Sequence, residues 1–343
     1  MATIFGTHYT KNQLLDRMGN LDTLAGIRQI EFQDGMARGM RAYEVVNGPM
    51  RFVAYIDKCL DVGELYYNGM PMHFLARPGV MSGSHWYDGP NAPRSIMGGM
   101  MFTCGLSNVG PFQQLPGGQT QPQHGFLRNT PAEQHGARTY WEGDDYYLEL
   151  TATVRESCLF GINLVLRRTI TTKLGETTIR IRDVIENESS TDGVPLMLMY
   201  HCNAGFPLLD ADSHLEIDAE STAYRDAAAE NGAKEESYSV FGEPIVGYNE
   251  QVFYHKLKAE NNMCTAKMVN PNKNLCLTVR FDNRELPYLT QWKSRDAGNY
   301  VTGIEPCNCH PEGVLKEDAD GTLRRLSAHE RIETALEFEI GAC

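Results

Sequence analysis

The sequence predicts an all-β protein, a single large antiparallel sandwich with a few short helices. Three observations carry that expectation. Apolar and polar residues alternate with period two along many segments, Gly-containing polar turns separate those segments at short intervals, and helical periodicity is nearly absent after residue 20. Many strands without alternating helices argue against an α/β fold. No repeat, low-complexity linker or compositional break divides the chain, so residues 1–343 are expected to form one domain, with 1–45 as an N-terminal extension packing on it. A chain of 343 residues can bury a substantial core.

The elements follow in order. A short helix is expected from Lys11 to Met18, with Thr10 as its N-cap and Gly19 as its stop. Phe52 to Val62 reads as a strand. From Pro93 to Ala132 the chain is rich in Gly, Pro, Gln and Asn but carries interspersed Met, Phe, Leu and Val. So long an irregular stretch with apolar anchors reads as a wall of a binding cleft rather than as disorder. The loop-like stretch from His73 to Pro93, with His85, is expected to border it.

Tyr146 to Val154 alternates cleanly, placing Leu148, Leu150, Ala152 and Val154 on one face. Ile162 to Ile170 and Thr178 to Val184 repeat the pattern, and Lys173-Leu174-Gly175-Glu176 and Glu188 to Gly193 are turns, so an antiparallel meander follows. Val194 to Cys202 is a fourth, apolar strand that carries His201 near its end. Asp226 to Glu230 reads as a short helix ended by Asn231-Gly232. Leu275 to Asp282, Tyr288 to Ser294, Tyr300 to Ile304 and Arg331 to Ile340 complete the strands.

Charge excludes some partners. With 31 Lys plus Arg against 44 Asp plus Glu, the net charge is −13, and no basic patch offsets it, so nucleic acid is not an expected partner. No apolar run approaches the roughly 18 residues of a membrane span, and the first residues lack a signal pattern, so a cytoplasmic location is expected. Nine scattered cysteines suit reduced thiols. Cys307-Asn308-Cys309-His310 is a lone cluster, and without further ligands at workable spacing no metal site is expected.

Chemistry concentrates in two distant segments, Leu198 to Pro207 and Gly303-Ile304-Glu305-Pro306. Each sets one titratable side chain, His201 or Glu305, at the end of an apolar run against a Gly/Pro turn. A histidine and a carboxylate held this way can serve one substrate as acid and base. A lone histidine at a strand end is commonly a structural hydrogen-bonder, but a glutamate at an apolar strand terminus is unusual without a function or a partner. Glycosidases need two carboxylates about 5 to 9.5 Å apart. This sequence offers one carboxylate and two histidines.

The order Gly-Gly-x-x-x-Thr-Cys-Gly-Leu (98–106), His124-Gly125, Tyr200-His201 after a meander, then Gly303-Ile304-Glu305-Pro306 resembles the galactose mutarotase-like superfamily, in its DUF4432-type, aldose 1-epimerase-like branch. The resemblance spans about Arg51 to Ile340. It implies a β-supersandwich with a sugar site in a cleft, and anomer interconversion of a monosaccharide or derivative. Glu305 would be the general base on the anomeric hydroxyl, His201 the general acid on the ring oxygen, and His124 a ligand to the ring oxygen or a neighbouring hydroxyl. Every step is a proton transfer, so no cofactor is implied. The partner is a small-molecule carbohydrate, and the assembly it allows is a homodimer.

The sequence departs from better-known mutarotases at Gly247-Tyr248-Asn249-Glu250, where those carry Gly-Tyr-Asp-His, so Glu250 is a candidate to read sugar hydroxyls in place of the Asp. A sugar-binding Arg that precedes the first His in those enzymes has no evident counterpart. Arg128 is a candidate ligand contact or a brace for its own loop. Trp292 is a candidate stacking platform or a core residue. Asn203 and Asn108 complete the substrate-binding candidates. Two alternatives stay open on the same fold: a non-catalytic sugar-binding or regulatory protein, and another proton-transfer enzyme such as a sugar isomerase or lyase.

Overall fold

In the computed structural model, which describes residues 2–4, 6–85, 87 and 89–343, the chain is mostly antiparallel β-sheet. An eight-stranded sheet runs in spatial order Glu133–Glu142, Asp145–Ser157, Asn163–Lys173, Thr178–Asn187, Arg331–Gly341, Leu275–Asp282, Met263–Asn270 and His214–Ile217. Its first four strands contain the expected meander. The alternation holds there: Leu148, Leu150, Ala152 and Val154 are buried in one core with Ile179 and Ile181, while Arg180 and Arg182 face out.

A six-stranded sheet carries the motifs. Its strands are β1 (Met101–Leu106), β2 (Met197–Ala204), β3 (Ala219–Tyr224), β4 (Gln251–Leu257), β5 (Tyr288–Asp296) and β6 (Asn299–Cys307), in spatial order β3-β4-β5-β6-β2-β1. A five-stranded sheet is built from Gly26–Glu31, Arg41–Val46, Met50–Tyr55, Asp61–Tyr67 and Met70–Pro71. The first 45 residues, expected as an extension, thus contribute strands to this sheet. No helix among the described residues is long and apolar enough to cross a membrane.

The main core draws side chains from all three sheets, including Phe52, Leu65, Leu150, Leu198, Tyr200, Ile304 and Phe338. Strand β2 is buried along its whole length, and its two faces differ. Leu198, Tyr200, Cys202 and Ala204 point into that core, whereas Met197 and Met199 join a smaller cluster with Phe102, Cys104 and Cys307. By the period-two rule His201 and Asn203 share the second face. The core side is braced by Arg168, which bonds both oxygens of Asp183 at 2.9 and 2.6 Å, Asp61 at 2.6 Å and Thr103 of β1 at 2.9 Å. Tyr200 of β2 also donates to Asp183, at 2.7 Å.

Several expected elements are corrected. The run from Phe52 to Val62 is two strands joined by a turn, in which Cys59 and Leu60 take positive φ of 54° and 53°, with no Gly to announce it. Val194 to Cys202 is also broken: Val194–Pro195 pairs with Arg325–Leu326, and β2 begins at Met197. The N-terminal helix covers only Lys11–Leu15, with Thr10 and Gln13 forming a reciprocal capping box. The second helix runs on to Glu235, through Asn231-Gly232. Gly232 is there because Gln251 lies against it, where a Cβ would overlap the amide. Helix Val314–Asp320 and strands β1, β3, β4 and Met263–Asn270 escaped sequence reading; β1 and β4 are buried on both faces and show no alternation, while β3 is largely exposed and carries little apolar signal.

Candidate active site

Antiparallel register brings the two motif segments together. Strands β2 and β6 pair Met199 with Cys307 and Cys202 with Ile304, which sets His201 opposite Glu305. On the other side of β2, His201 pairs with Phe102 of β1. Beyond β6, Glu305 pairs with Thr290 of β5, and Thr290 with Tyr254 of β4. A single cross-strand row, Phe102, His201, Glu305, Thr290 and Tyr254, thus crosses the sheet. The neighbouring row is Asn203, Gly303, Trp292 and Val252.

Both rows face a cavity of about 700 Å³, lined among others by His124, His201, Asn203, Trp292 and Glu305. That volume is in the range of small-molecule sites. His201 Nε2 lies 3.1 Å from Glu305 Oε1, too far off line for a proper hydrogen bond, so Oε1 remains unpaired. The imidazole is stacked on Phe102, ring centroids 4.4 Å apart and 20° from parallel. His124 meets it edge-on at 5.7 Å. That ring arrives on a left-handed step, with φ of 58° at His124 and 74° at Gly125. Gly125 is required because a Cβ there would run into the Gly105 and Asn108 carbonyls. The loop is pinned by His124 N–H donating to the Gly110 carbonyl at 2.8 Å.

Burial decides where protons sit. It pushes the Glu305 carboxyl well above its usual range, Glu250 adds to the rise, and Arg225 opposes it. Burial pulls His201 down to about 3, against a smaller upward pull from Asn203. His124 is also held well below its usual value, by burial and then by His201 and Arg128. Burial thus favours the neutral form of all three groups, the two imidazoles and the carboxylic acid. A neutral acid touching a neutral base can exchange that proton without any net uptake from solvent.

The remaining candidates divide. Glu250 stands at the mouth, accepting from Trp292 Nε1 at 2.9 Å and from Arg225 at 3.1 Å. Trp292 lines the cavity, its ring 5.7 Å from that of His201. Arg128 does not line this cavity. It is buried and donates to the Gln123 and Ser95 carbonyls, each at 3.2 Å, which holds the residue just before His124. Asn108 is likewise a brace, donating to the Pro111 and Pro122 carbonyls at 3.0 Å and accepting from Val314 N–H at 2.9 Å. Neither reaches the cavity, and the local bracing role is the one the structure gives them.

Sequence reasoning missed Phe102, Arg77 and Arg225. Arg77, in the loop-like stretch before Pro93, lines the mouth and donates to the Ala297 carbonyl at 2.7 Å. Its only sequence signal was its place in that loop. The Cys307 to His310 cluster is structural: both thiols are buried, Asn308 accepts from Leu198 N–H at 2.7 Å, and His310 packs against Tyr254 and Tyr288.

Solved structures share this fold at low sequence identity. A candidate aldose 1-epimerase from Klebsiella pneumoniae matches with a TM-score of 0.85 at 21% identity, over 92% of this chain and 83% of that one. A galactose mutarotase-like protein from Clostridium acetobutylicum gives 0.63 at 15%, over 94% and 100%. A galactose 1-epimerase from Lactobacillus acidophilus gives 0.61 at 12%, over 93% and 99%. Among curated proteins, no sequence matches. The domain of unknown function DUF4432 matches residues 37–340, and the chain therefore belongs to the DUF4432 family, with a galactose mutarotase-like fold.

Proposed function

We propose that this chain is a carbohydrate-active isomerase of the aldose 1-epimerase type, interconverting the anomers of a monosaccharide or derivative. The observation that best supports this reading is the 3.1 Å approach of His201 and Glu305 on the floor of the cavity. The pair can share one proton, and burial favours the arrangement in which Glu305 holds it. Sugar hydroxyls replace apolar surroundings with hydrogen-bonding ones, which favours the charged arrangement, carboxylate and imidazolium. Glu305 then takes the proton of the anomeric hydroxyl as His201 protonates the ring oxygen, and the hemiacetal C–O bond breaks. The aldehyde rotates about C1–C2, and reclosure with the roles reversed returns both protons. His124, edge-on to His201, hydrogen-bonds the ring oxygen or a neighbouring hydroxyl, while Trp292 and Glu250 bound the sugar.

A positioned acid or base typically contributes about 10² to 10⁴ in rate, which suffices for a reaction that already proceeds in water. The test is NMR saturation transfer between anomers across a panel of aldoses, uronates and sugar phosphates, with Glu305→Gln as the control. An accelerated exchange that disappears in the variant is expected. Tight binding of a sugar with no acceleration for any member would leave a binding protein instead.

A further inference from the structure

His201 and Asn203 stand two positions apart on β2, so their side chains leave the same face of the sheet. The Asn203 amide is locked in place. Its Nδ2 donates to the Gly99 carbonyl at 3.0 Å and to the His201 carbonyl at 3.1 Å. Two carbonyl partners at one end of the amide decide which atom is the nitrogen. The acceptor Oδ1 is left over, buried and without a partner, and the same is true of His201 Nδ1. Asn203 is only 1% exposed, so its oxygen has no bulk solvent to bond. A buried polar atom left unpaired is destabilising, so a partner is favoured. Here one acceptor and one ring nitrogen are orphaned at adjacent places on one face.

We propose that Asn203 is a positioning residue whose Oδ1 accepts from the Nδ1–H of His201, fixing the tautomer that leaves the Nε2 lone pair facing Glu305. Their contact falls short of hydrogen-bond geometry, yet the amide raises the proton affinity of the ring against the larger effect of burial. The Phe102 stack fixes the ring plane but cannot select between its nitrogens. Asn203 makes that selection. With Nδ1 protonated, the Glu305 proton moves from Oε1 to Nε2, giving carboxylate and imidazolium with no proton exchanged with solvent. The Nδ1–H bond to Oδ1 strengthens as the ring gains charge, so the amide favours the charged arrangement over the resting one. This role rests on the acid–base reading of the cavity.

The test is ¹⁵N-histidine NMR of the full chain, with His201→Gln assigning the resonances, alongside steady-state anomerisation. Asn203→Leu removes both the acceptor and the amide donors. Asn203→Asp keeps an acceptor but loses the donors to both carbonyls. The expected result is a protonated Nδ1 in the parent chain and in Asn203→Asp. In Asn203→Leu that signature is lost, and kcat falls about 10- to 100-fold with KM unchanged. A proton on Nε2 in the parent chain, an Asn203→Leu variant that keeps both tautomer and kcat, or equal failure of the two variants would overturn the proposal. The tautomer is read without substrate, so a chain that interconverts no aldose sinks the acid–base reading separately.

Discussion

Gly303 lies directly beneath the carboxyl group of Glu305, two residues along β6, and a Cβ at position 303 would overlap Glu305 Oε1. The glycine of the Gly-Ile-Glu-Pro motif therefore gives the carboxyl room to fold back along its own strand, toward the His201 side chain. Gly303→Ala should displace the carboxyl while leaving the strand intact. A shift near 1 Å typically costs about 10²-fold in rate. An alanine variant that keeps full anomerase activity, with an unchanged circular dichroism spectrum, would show that this space is not needed.

Glu305 also ties stability to pH. Its folded carboxyl stays protonated well above its usual 4.5, whereas the unfolded chain releases that proton. Between those two values the folded state binds more protons, so this contribution is full at acidic pH and is lost as pH rises through the folded value. Glu305→Gln mimics the neutral form. It should match the parent near pH 4 and become more stable at neutral and alkaline pH, by at most about 1.4 kcal/mol per pH unit. Urea unfolding at a series of pH values reads this directly, and a variant less stable at pH 8 than at pH 4 relative to the parent contradicts it.

His201 acts in the opposite sense. Its folded value of about 3 lies below the usual 6.5, so the unfolded chain binds the extra proton first as pH falls. That contribution is present above 6.5 and is lost on acidification toward 3. His201→Gln should remove anomerase activity and flatten the acid side of the stability profile. A parallel acid decline in parent and variant would assign the loss to other groups.

The Arg168 brace predicts a purely structural defect. Arg168→Met strands Asp61 and Asp183 in the core, and breaking a buried pair in this way costs about 3 to 5 kcal/mol. Asp61→Asn should cost less, because Arg168 keeps both oxygens of Asp183. Denaturant midpoints for the two variants test that ranking.

The mouth should govern affinity rather than rate. Trp292→Leu removes a wall of the cavity and the indole N–H that Glu250 accepts from, leaving Glu250 held by Arg225 alone. KM for the preferred sugar should rise several-fold, on the order of 1 kcal/mol of lost stacking, with kcat little changed. A fall in kcat alone would place Trp292 in the proton-transfer step.

The meander and the terminal strands were legible because one of their faces is wet, so alternation survives in the sequence. Strands β1 and β2 were harder, since burial on both sides erases the period, and β1 lay hidden in a Gly-rich stretch read as irregular. His201, Glu305 and His124 could be found because their motifs pair a titratable residue with backbone-shaping Gly or Pro. Arg77 and Arg225 carry no such punctuation, and only folding brings them to the mouth. Arg128 and Asn108 could not be sorted from sequence for the converse reason: their donors suit a ligand as well as the backbone carbonyls they bond.

The row from Phe102 to Tyr254 draws each member from a different strand, with no loop between neighbours. Its spacing is inherited from interstrand ladders about 4.7 to 4.9 Å apart, and a slip of one residue would turn a member to the opposite face. Arg77, Arg225 and Glu250 instead sit on connections or strand ends, where change is cheap. The mouth can thereby be rebuilt without disturbing the sheet, while His201 and Glu305 stay locked to its weave.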